Sequence, residues 1–236
     1  MFHFKELIRN WIFEYYEMPD MAGSVRRLKK SGFSPSVWMD VGAFRGETAD
    51  LFRQTWPEAS GVCFEGQASA LLQLKNKFQS DPLVAVIGKL VGSEPKKEVS
   101  LYGKDTYASV LEEVVNPKSE NLQVEMTTLD QETQDRPLKS GENFIKIDTQ
   151  GYELEILKGA ERSLRTCGAL ILELNFIDIY KAAPMADEVI GWLKSRGFTI
   201  YDIAGLIRRA RDRALWQADV VFVPIKSPLR SSKSYD

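Results

Sequence analysis

The order of apolar patterns along the chain limits the folds it can adopt more than any other feature. From about residue 37 onward, short runs rich in β-branched residues alternate with segments whose apolar residues recur at the helical period. This alternation is typical of βαβ units, which form a parallel sheet with helices on both faces. The continuous apolar run Ala169–Leu174 fits a strand buried on both faces. Five such strands are predicted: Val37–Val41, Gly61–Glu65, Leu83–Ile87, Phe144–Asp148 and Ala169–Leu174.

Two parts of the chain depart from this alternation. Residues 92–130 contain a predicted hairpin, with Val99–Tyr102 as one arm. After a predicted helix near Ala186–Arg196, Phe198–Asp202 and Asp219–Val223 are expected to be the last two strands. Residues 205–217 between them are too few for a crossover helix with its loops, so this pair should be antiparallel.

The length of 236 residues suits one domain with additions at its ends. We expect a helical lead-in over residues 1–34, an α/β domain over 35–225, and a flexible tail over 226–236. No segment approaches the roughly 20 apolar residues that cross a bilayer. The N-terminal segment contains charged residues and lacks the apolar core of a signal peptide, so we expect a cytoplasmic protein without a membrane span.

Charge and rare residues exclude several functions. The 31 Lys and Arg against 33 Asp and Glu leave a net charge of −2, which gives no electrostatic footprint for a nucleic acid. Cys63 and Cys167 are too few for a disulfide framework and fit a reducing compartment. The single histidine, His3, argues against Ser–His triads and His-ligated metals. Proton transfer in the body of the fold must therefore use carboxylates, Lys, Tyr or Cys.

Acidic residues lie at the ends of four predicted strands, where an open parallel sheet binds its ligands. Asp40 precedes the turn that contains Gly42 and Gly46. Gly42 lets a ligand approach the backbone, and Gly46 allows close packing at the start of the next helix. A tight turn without a ligand is the structural alternative. Phe44 stands where the dinucleotide fingerprint has its middle glycine, which argues against a pyrophosphate on this loop. Glu65, 19 residues after Gly46, is suited to the hydroxyls of a ribose, or else is an ordinary cap.

The fourth and fifth strands supply the candidates for catalysis. Asp148 ends the fourth strand and is the leading candidate, with Lys146 two residues before it. Glu173 ends the fifth strand among apolar residues, where it is either a desolvated acid suited to proton transfer or a paired structural acid. Arginines between the last two strands form either a solvated surface or an anion-holding site for the substrate: Arg208, Arg209, Arg211 and Arg213.

Two segments carry a resemblance to a known family. Val37–Thr48, VWMDVGAFRGET, resembles motif I of S-adenosylmethionine-dependent methyltransferases in the form used by the FkbM family. Phe144–Ala160, FIKIDTQGYELEILKGA, resembles the signature K-I-D-x-x-G-x-E-x-x-x-L-x-G-A of that family. Thr127–Asp130 and Trp216–Phe222 are similar to flanking segments, so the resemblance covers residues 25–224. Position 150 is Gln where many members carry Glu, which weakens any metal or proton role there.

The resemblance implies a Rossmann-like class I methyltransferase fold, with a seven-stranded, mostly parallel sheet and an antiparallel last strand. It implies methyl transfer from S-adenosylmethionine to a hydroxyl of a sugar, polyketide or other natural product. Asp148 would lie beside the sulfonium and the acceptor, with Glu173 and Lys146 as further candidates for catalysis. The residues expected to hold the cofactor are Asp40, Gly42, Ala43, Gly46, Glu65, Gly88 and Asp148.

Two other functions stay open at this point. An NAD-linked oxidoreductase shares the sheet and the ribose-binding acid, but it would require the glycine missing at position 44. A catalytically silent nucleoside-binding module would share the fold and should lose the acids at the strand ends. No metal ligands are predicted, although a divalent metal is left open. The expected partner is a small-molecule or glycan hydroxyl acceptor, and a homodimer is left open.

Overall fold

A computed structural model describes residues 18–103, 108–115, 121–136 and 139–234. The strands are β1 (Val37–Val41), β2 (Ser60–Phe64), β3 (Val84–Ile87), β4 (Leu90–Val91), β5 (Lys96–Tyr102), β6 (Asn121–Thr127), β7 (Asn143–Ile147), β8 (Cys167–Asn175), β9 (Phe198–Arg208) and β10 (Leu215–Pro224). The helices are α1 (Met21–Lys30), α2 (Glu47–Thr55), α3 (Ala68–Phe78), α4 (Leu129–Glu132), α5 (Glu153–Lys158), α6 (Glu161–Arg165) and α7 (Ala186–Ser195), followed by a 3₁₀ turn at Pro228–Arg230.

Seven strands form the central sheet in the order β3-β2-β1-β7-β8-β10-β9. The five strands from β3 to β8 are parallel, and β10 runs antiparallel to both β8 and β9. The predicted class I methyltransferase fold, with its antiparallel last strand, is confirmed. Parallel pairing brings the carboxyl ends of β1, β2, β7 and β8 to one edge of the sheet.

Both faces of the central sheet are buried, as the continuous apolar strands require. One face packs on α1, α2 and α3 through an aromatic cluster in which the rings of Phe52 and Phe144 meet edge to face at 4.8 Å. The other face packs on α5, α6 and α7 through aliphatic side chains such as Ile156, Leu164 and Leu193. Because every residue of β1, β7 and β8 is buried, the middle of the sheet is a rigid base for the loops at its edge.

A second, three-stranded sheet in the order β4-β6-β5 stands beside the carboxyl edge of the central sheet. β5 pairs antiparallel with β6, which confirms the predicted hairpin, and β4 adds to β6 in parallel. β4 begins three residues after β3 ends, so the second sheet is tied directly to the outermost strand of the first.

Two local predictions differ from the structure. The single helix predicted over 153–164 is broken into α5 and α6 at Gly159, where a Cβ atom would lie 2.1 Å from the carbonyl oxygen of Gly92. The last two strands are longer than predicted, because pairing between β9 and β10 continues to Leu215 and Arg208. Their connection is therefore the short loop 209–214.

The expected terminal segments are described in part. Residues 1–17 of the expected helical lead-in lie outside the described residues, and α1 follows them. α1 is tied to β9 by Arg27, whose guanidinium lies 2.8 Å from the carboxylate of Asp202. The tail is described as far as Ser234 and contains the 3₁₀ turn. None of the described helices is long and apolar enough to cross a membrane.

Candidate active site

A cavity of about 280 Å³ lies at the carboxyl edge of the central sheet, between that edge and the second sheet. Four of the predicted site residues line it, and they come from four different strand ends. These residues are Gly42 after β1, Glu65 after β2, Asp148 after β7 and Glu173 in β8. The structure therefore brings together the acids that the strand-end argument singled out.

Gly42 allows the loop after β1 to touch the loop after β7. Its φ of +76° lies in the left-handed region, and a Cβ atom there would lie 2.0 Å from the carbonyl oxygen of Asp148. The backbone N–H of Asp148 in turn donates to the carbonyl of Val41 at 3.1 Å. Only glycine fits this crossing, where the two loops meet beside the cavity.

Glu65 is held by the backbone at the second strand end. Its two carboxylate oxygens accept hydrogen bonds from the N–H groups of Phe44 at 2.8 Å and Gln67 at 2.7 Å. Burial raises the pKa of Glu65, and these backbone donors oppose the rise. Phe44 has a φ of +47°, an unusual backbone for a bulky residue, and this conformation aims its N–H at Glu65. The carboxylate faces the cavity in a fixed orientation and keeps lone pairs for a ligand's hydroxyl groups.

Lys146 lies beneath the cavity and outside its lining. Its ammonium is 3.2 Å from Asp40, 3.4 Å from Asp148, and donates to the carbonyl of Gly42 at 3.3 Å. Burial disfavours this charge, but the carboxylates of Asp40 and Asp148 outweigh it and raise the pKa of Lys146. A lysine held in the charged form does not accept a proton, so the structure favours a charge-balancing role over that of a base.

Glu173 is joined to Asp148 by the side chain of Gln150. The Gln150 amide nitrogen lies 2.8 Å from Glu173 Oε2 and 3.3 Å from Asp148 Oδ1. Gln217 donates a second amide hydrogen bond to Glu173 Oε2 at 2.7 Å. Burial, followed by the neighbouring charge of Asp148, raises the pKa of Glu173 well above its ordinary value.

Glu153 holds the loop that carries these groups. Its Oε1 atom accepts hydrogen bonds from the backbone and hydroxyl of Thr149 at 3.0 and 3.1 Å and from the N–H of Gly151 at 3.1 Å. Complete burial raises the pKa of Glu153 to about 7, although these backbone donors lower it. The first helical turn of α5 therefore supplies a clamp for the loop as well as a carboxylate beside its N-terminus.

Sequence reasoning missed Gln150 and Gln217 as parts of the site. Gln150 was seen only as a departure from a family pattern, and its side-chain direction depends on a φ of +59° that the sequence does not reveal. Gln217 reaches the site because β10 pairs with β8, which places Gln217 opposite Asn175. A polar residue at the start of a buried strand is the only signal that could have found it.

Several predicted cofactor residues do not line the cavity. Asp40 and Ala43 are buried outside the lining of the cavity. Gly46 is the N-cap of α2, and a Cβ atom there would lie 2.8 Å from Leu74 and 3.0 Å from Phe78 of α3. Gly88 is exposed between β3 and β4, and the next two residues, Lys89 and Leu90, line the cavity instead.

The structure does not bring the predicted substrate arginines into the cavity. Arg208 donates to the carbonyl of Arg213, and Arg209 forms an ion pair of 2.5 Å with Asp212 within the same loop. Arg211 is exposed on that loop. The nearby lining residues are Ile207 and Gln217. In the part of the chain that the structure describes, no three His, Cys, Asp or Glu side chains are grouped to hold a metal ion.

No curated protein matches the sequence significantly. The structure is similar to precorrin-6y C5,15-methyltransferase from Geobacter metallireducens, with 12% identity, 86% of each chain covered and a TM-score of 0.48. It is similar to magnesium protoporphyrin IX methyltransferase from Synechocystis, solved with bound S-adenosylmethionine, with 11% identity over 86% of this chain and 79% of that chain and a TM-score of 0.48. A third similar structure is TrmK from M. capricolum, in complex with S-adenosylhomocysteine, with 9% identity over 86% and 68% and a TM-score of 0.47.

A family comparison covers more than half of the sequence. The model described as the methyltransferase FkbM domain matches residues 40–200, from the acid of β1 to the beginning of β9. That range contains Gly42, Glu65, Asp148 and Glu173, the four strand-end residues that meet at the cavity. The chain therefore belongs to the FkbM family of S-adenosylmethionine-dependent methyltransferases.

Proposed function

We propose that the protein is an O-methyltransferase that uses S-adenosylmethionine to methylate a hydroxyl group of a small molecule or glycan, such as a sugar or polyketide. The observation that carries the proposal is the meeting of Gly42, Glu65 and Asp148 at one cavity, together with membership of the family. Four separate strand ends contribute to this cavity, which is the arrangement that ligand sites of open parallel sheets share.

The residues around the cavity fit such a cofactor. Glu65 would accept hydrogen bonds from the two ribose hydroxyls, with Lys89 and Leu90 beside the base. The methionine part would lie along the backbone at Gly42, which lines the cavity where the two loops cross. S-adenosylmethionine, when bound, supplies a methyl group on a positively charged sulfur. The carboxyl groups of Asp148 and Glu173 line the adjacent part of the cavity.

Two carboxylates are placed to accept the proton of the acceptor hydroxyl. Asp148 lies at the cavity floor, next to the Gly42 crossing. Glu173 lies farther along the edge, near Ile207 and Gln217. Because its pKa is raised by burial, Glu173 has the higher proton affinity that a general base needs near neutral pH. We assign proton acceptance to Glu173 and place Asp148 beside the sulfonium.

Binding measurements test the proposal directly. Isothermal titration calorimetry of the full chain should show micromolar binding of S-adenosylmethionine and no binding of NAD. Glu65→Gln keeps the shape of the side chain, but it removes the charge and replaces one acceptor oxygen with an amide NH₂ group. It should therefore weaken binding of S-adenosylmethionine at least tenfold, or about 1.4 kcal/mol. Glu58→Gln, an exposed glutamate in the turn before β2, is the matched control and should bind normally.

A screen for a methyl mass shift across hydroxylated sugars and polyketides then tests the reaction. Transfer to oxygen by the wild-type chain, with little transfer by Glu65→Gln at limiting cofactor, is the expected result. Binding of NAD in preference to S-adenosylmethionine would overturn the proposal in favour of the oxidoreductase. Transfer to nitrogen or carbon alone would retain the family activity and overturn the assignment to oxygen.

A further inference from the structure

Gln150 adopts an unusual backbone conformation at the centre of the site. Its φ is +59°, and the following Gly151 has a φ of +99°. Non-glycine residues in the left-handed region are uncommon and persist where the surroundings hold them. Here the hydroxyl of Ser109 donates to the carbonyl oxygen of Gln150 at 2.7 Å. This strained turn has one clear structural result, which is to direct the Gln150 side chain back between two carboxylates.

The side-chain amide of Gln150 is fully engaged. Its nitrogen donates to Glu173 at 2.8 Å and to Asp148 at 3.3 Å, and its oxygen accepts the hydroxyl of Tyr180 at 2.7 Å. The hydroxyl of Tyr180 and the two carboxylates fix the direction of the amide, because a reversed amide would place its oxygen against two anions. Gln217 adds a second donor to the same oxygen of Glu173.

The amide groups of Gln150 and Gln217 are neutral hydrogen-bond donors that lie among acidic side chains. Glu173 is surrounded by charged and titratable groups from every element packed on it, and more of them are acidic than basic. The groups that face it are Asp148 and Lys146 from β7 and the loop after it, Glu153 of α5, Asp219 of β10, and Tyr180 from the segment after β8. The single ammonium among them already lies between Asp40 and Asp148. Amide donors are therefore needed to hold the carboxylates of Asp148 and Glu173 side by side.

We propose that Gln150 is a positioning residue whose amide bridges Asp148 and Glu173 and holds the two side chains in register at the methyl-transfer end of the cavity. This inference rests on the proposed function, because it gives the bridge a role toward the cofactor sulfonium and the acceptor hydroxyl. Tyr180 orients the Gln150 amide through its hydroxyl, and Gln217 donates a second hydrogen bond to Glu173.

The bridge has a consequence for pH that a purely structural role would not have. Burial and the charge of Asp148 raise the pKa of Glu173. Gln150 and Gln217 both donate hydrogen bonds to this carboxyl group, and donors of this kind favour the charged form. Gln150→Leu removes one of the two donors and leaves a side chain of similar volume. The pKa of Glu173 should rise further, so that less of it is charged near neutral pH.

The experiment compares two ligands that differ in the charge on sulfur. Calorimetry measures the affinities of S-adenosylmethionine and S-adenosylhomocysteine for the wild-type chain, Gln150→Leu, Tyr180→Phe and Gln123→Leu across the neutral pH range. Gln123 is an exposed residue of β6 that serves as the matched control. In Gln150→Leu we expect the preference for the cationic ligand to fall by up to tenfold at neutral pH and to recover at higher pH, because a rise of one pKa unit lowers the charged fraction of Glu173 by at most tenfold. Tyr180→Phe should shift the preference in the same direction by less.

A second measurement needs neither ligand. A ¹³C NMR titration of the glutamate side-chain carboxyls, with Glu173 assigned through Glu173→Gln, should show the Glu173 midpoint moving to higher pH in Gln150→Leu. If Gln150→Leu does not fold, Tyr180→Phe decides the question by the same two readouts.

The outcomes separate the two proposals. An unchanged Glu173 midpoint with an unchanged ligand preference would overturn the bridge while leaving the methyltransferase assignment intact. Failure of the wild-type chain to bind S-adenosylmethionine would overturn the proposed function, and the NMR titration would still show whether the bridge lowers the pKa of Glu173.

Discussion

Lys146 shows how strongly a single buried charge can bear on this fold. Asp40 is fully buried, and the ammonium 3.2 Å away is its counter-charge. Lys146→Met should leave that carboxylate uncompensated and lower the free energy of unfolding by about 3–5 kcal/mol, measured by urea denaturation. Asp40→Asn combined with Lys146→Met removes both charges and should recover part of the loss.

The control for this prediction is Lys158→Met, which breaks an exposed ion pair with Glu155 and should change stability little. Equal stability of wild type and Lys146→Met would show that the buried pair is dispensable.

The site residues that could be predicted from the sequence are those at strand ends. Gly42, Glu65, Asp148 and Glu173 follow or end apolar runs, and parallel strands bring such ends together whatever the details of packing. Gln150 could not be found in this way, because one backbone angle decides whether its side chain points to solvent or into the site. Arg208, Arg209 and Arg211 do not line the cavity. Arg208 and Arg209 bond to groups of the adjoining loop, and Arg211 is exposed.

At the scale of elements, the crossing of two loops over Gly42 joins β1 to β7. Gly42→Ala must displace the carbonyl of Asp148, so it should cost clearly more than the roughly 1–2 kcal/mol of a left-handed alanine and should abolish binding of S-adenosylmethionine. Gly32→Ala is the matched control, since its φ is +89° and a Cβ atom there would meet nothing within 4 Å. Urea denaturation and calorimetry on both variants measure the two effects. Equal costs for the two variants would mean that the crossing can open without loss.

Element boundaries were less predictable than element types, for reasons that lie outside the local sequence. The pattern over 153–164 is helical throughout, yet the helix is interrupted at Gly159, where the backbone of Gly92 packs closely from a distant segment. In the same way, β9 and β10 extend beyond their apolar cores because each continues to satisfy the other's backbone hydrogen bonds.

At the scale of the whole molecule, the directions of the strands followed from rules that need no side-chain detail. Strand–helix alternation implied a parallel sheet, and a connection too short for a crossover implied the antiparallel end. The same topology gathers several acids at one edge, where burial raises their pKa values. Glu153 reaches about 7 and Asp219 about 6, and the pKa values of Glu65 and Glu173 are raised as well.

This acidic edge sets how stability depends on pH. An acid whose pKa is raised on folding binds more protons in the folded than in the unfolded state, so its stabilising effect is full at low pH and is lost as pH rises. For Glu153 the loss runs from its ordinary value of 4.5 to about 7, which corresponds to about 3 kcal/mol. Acids whose pKa values are lowered, such as Asp81 and Glu155, act below that window.

We therefore expect the free energy of unfolding of the ligand-free protein to fall as pH rises from about 5 to about 7.5. Glu153→Gln keeps an oxygen that can accept the hydrogen bonds from Thr149 and Gly151 but cannot titrate, so it should flatten much of this slope. Glu155→Gln, on the same helix, changes an acid whose pKa is lowered and should leave the slope intact. Urea denaturation at a series of pH values measures all three proteins. A slope that survives in Glu153→Gln would mean that other acids of the edge, with Asp219 first among them, carry the dependence instead.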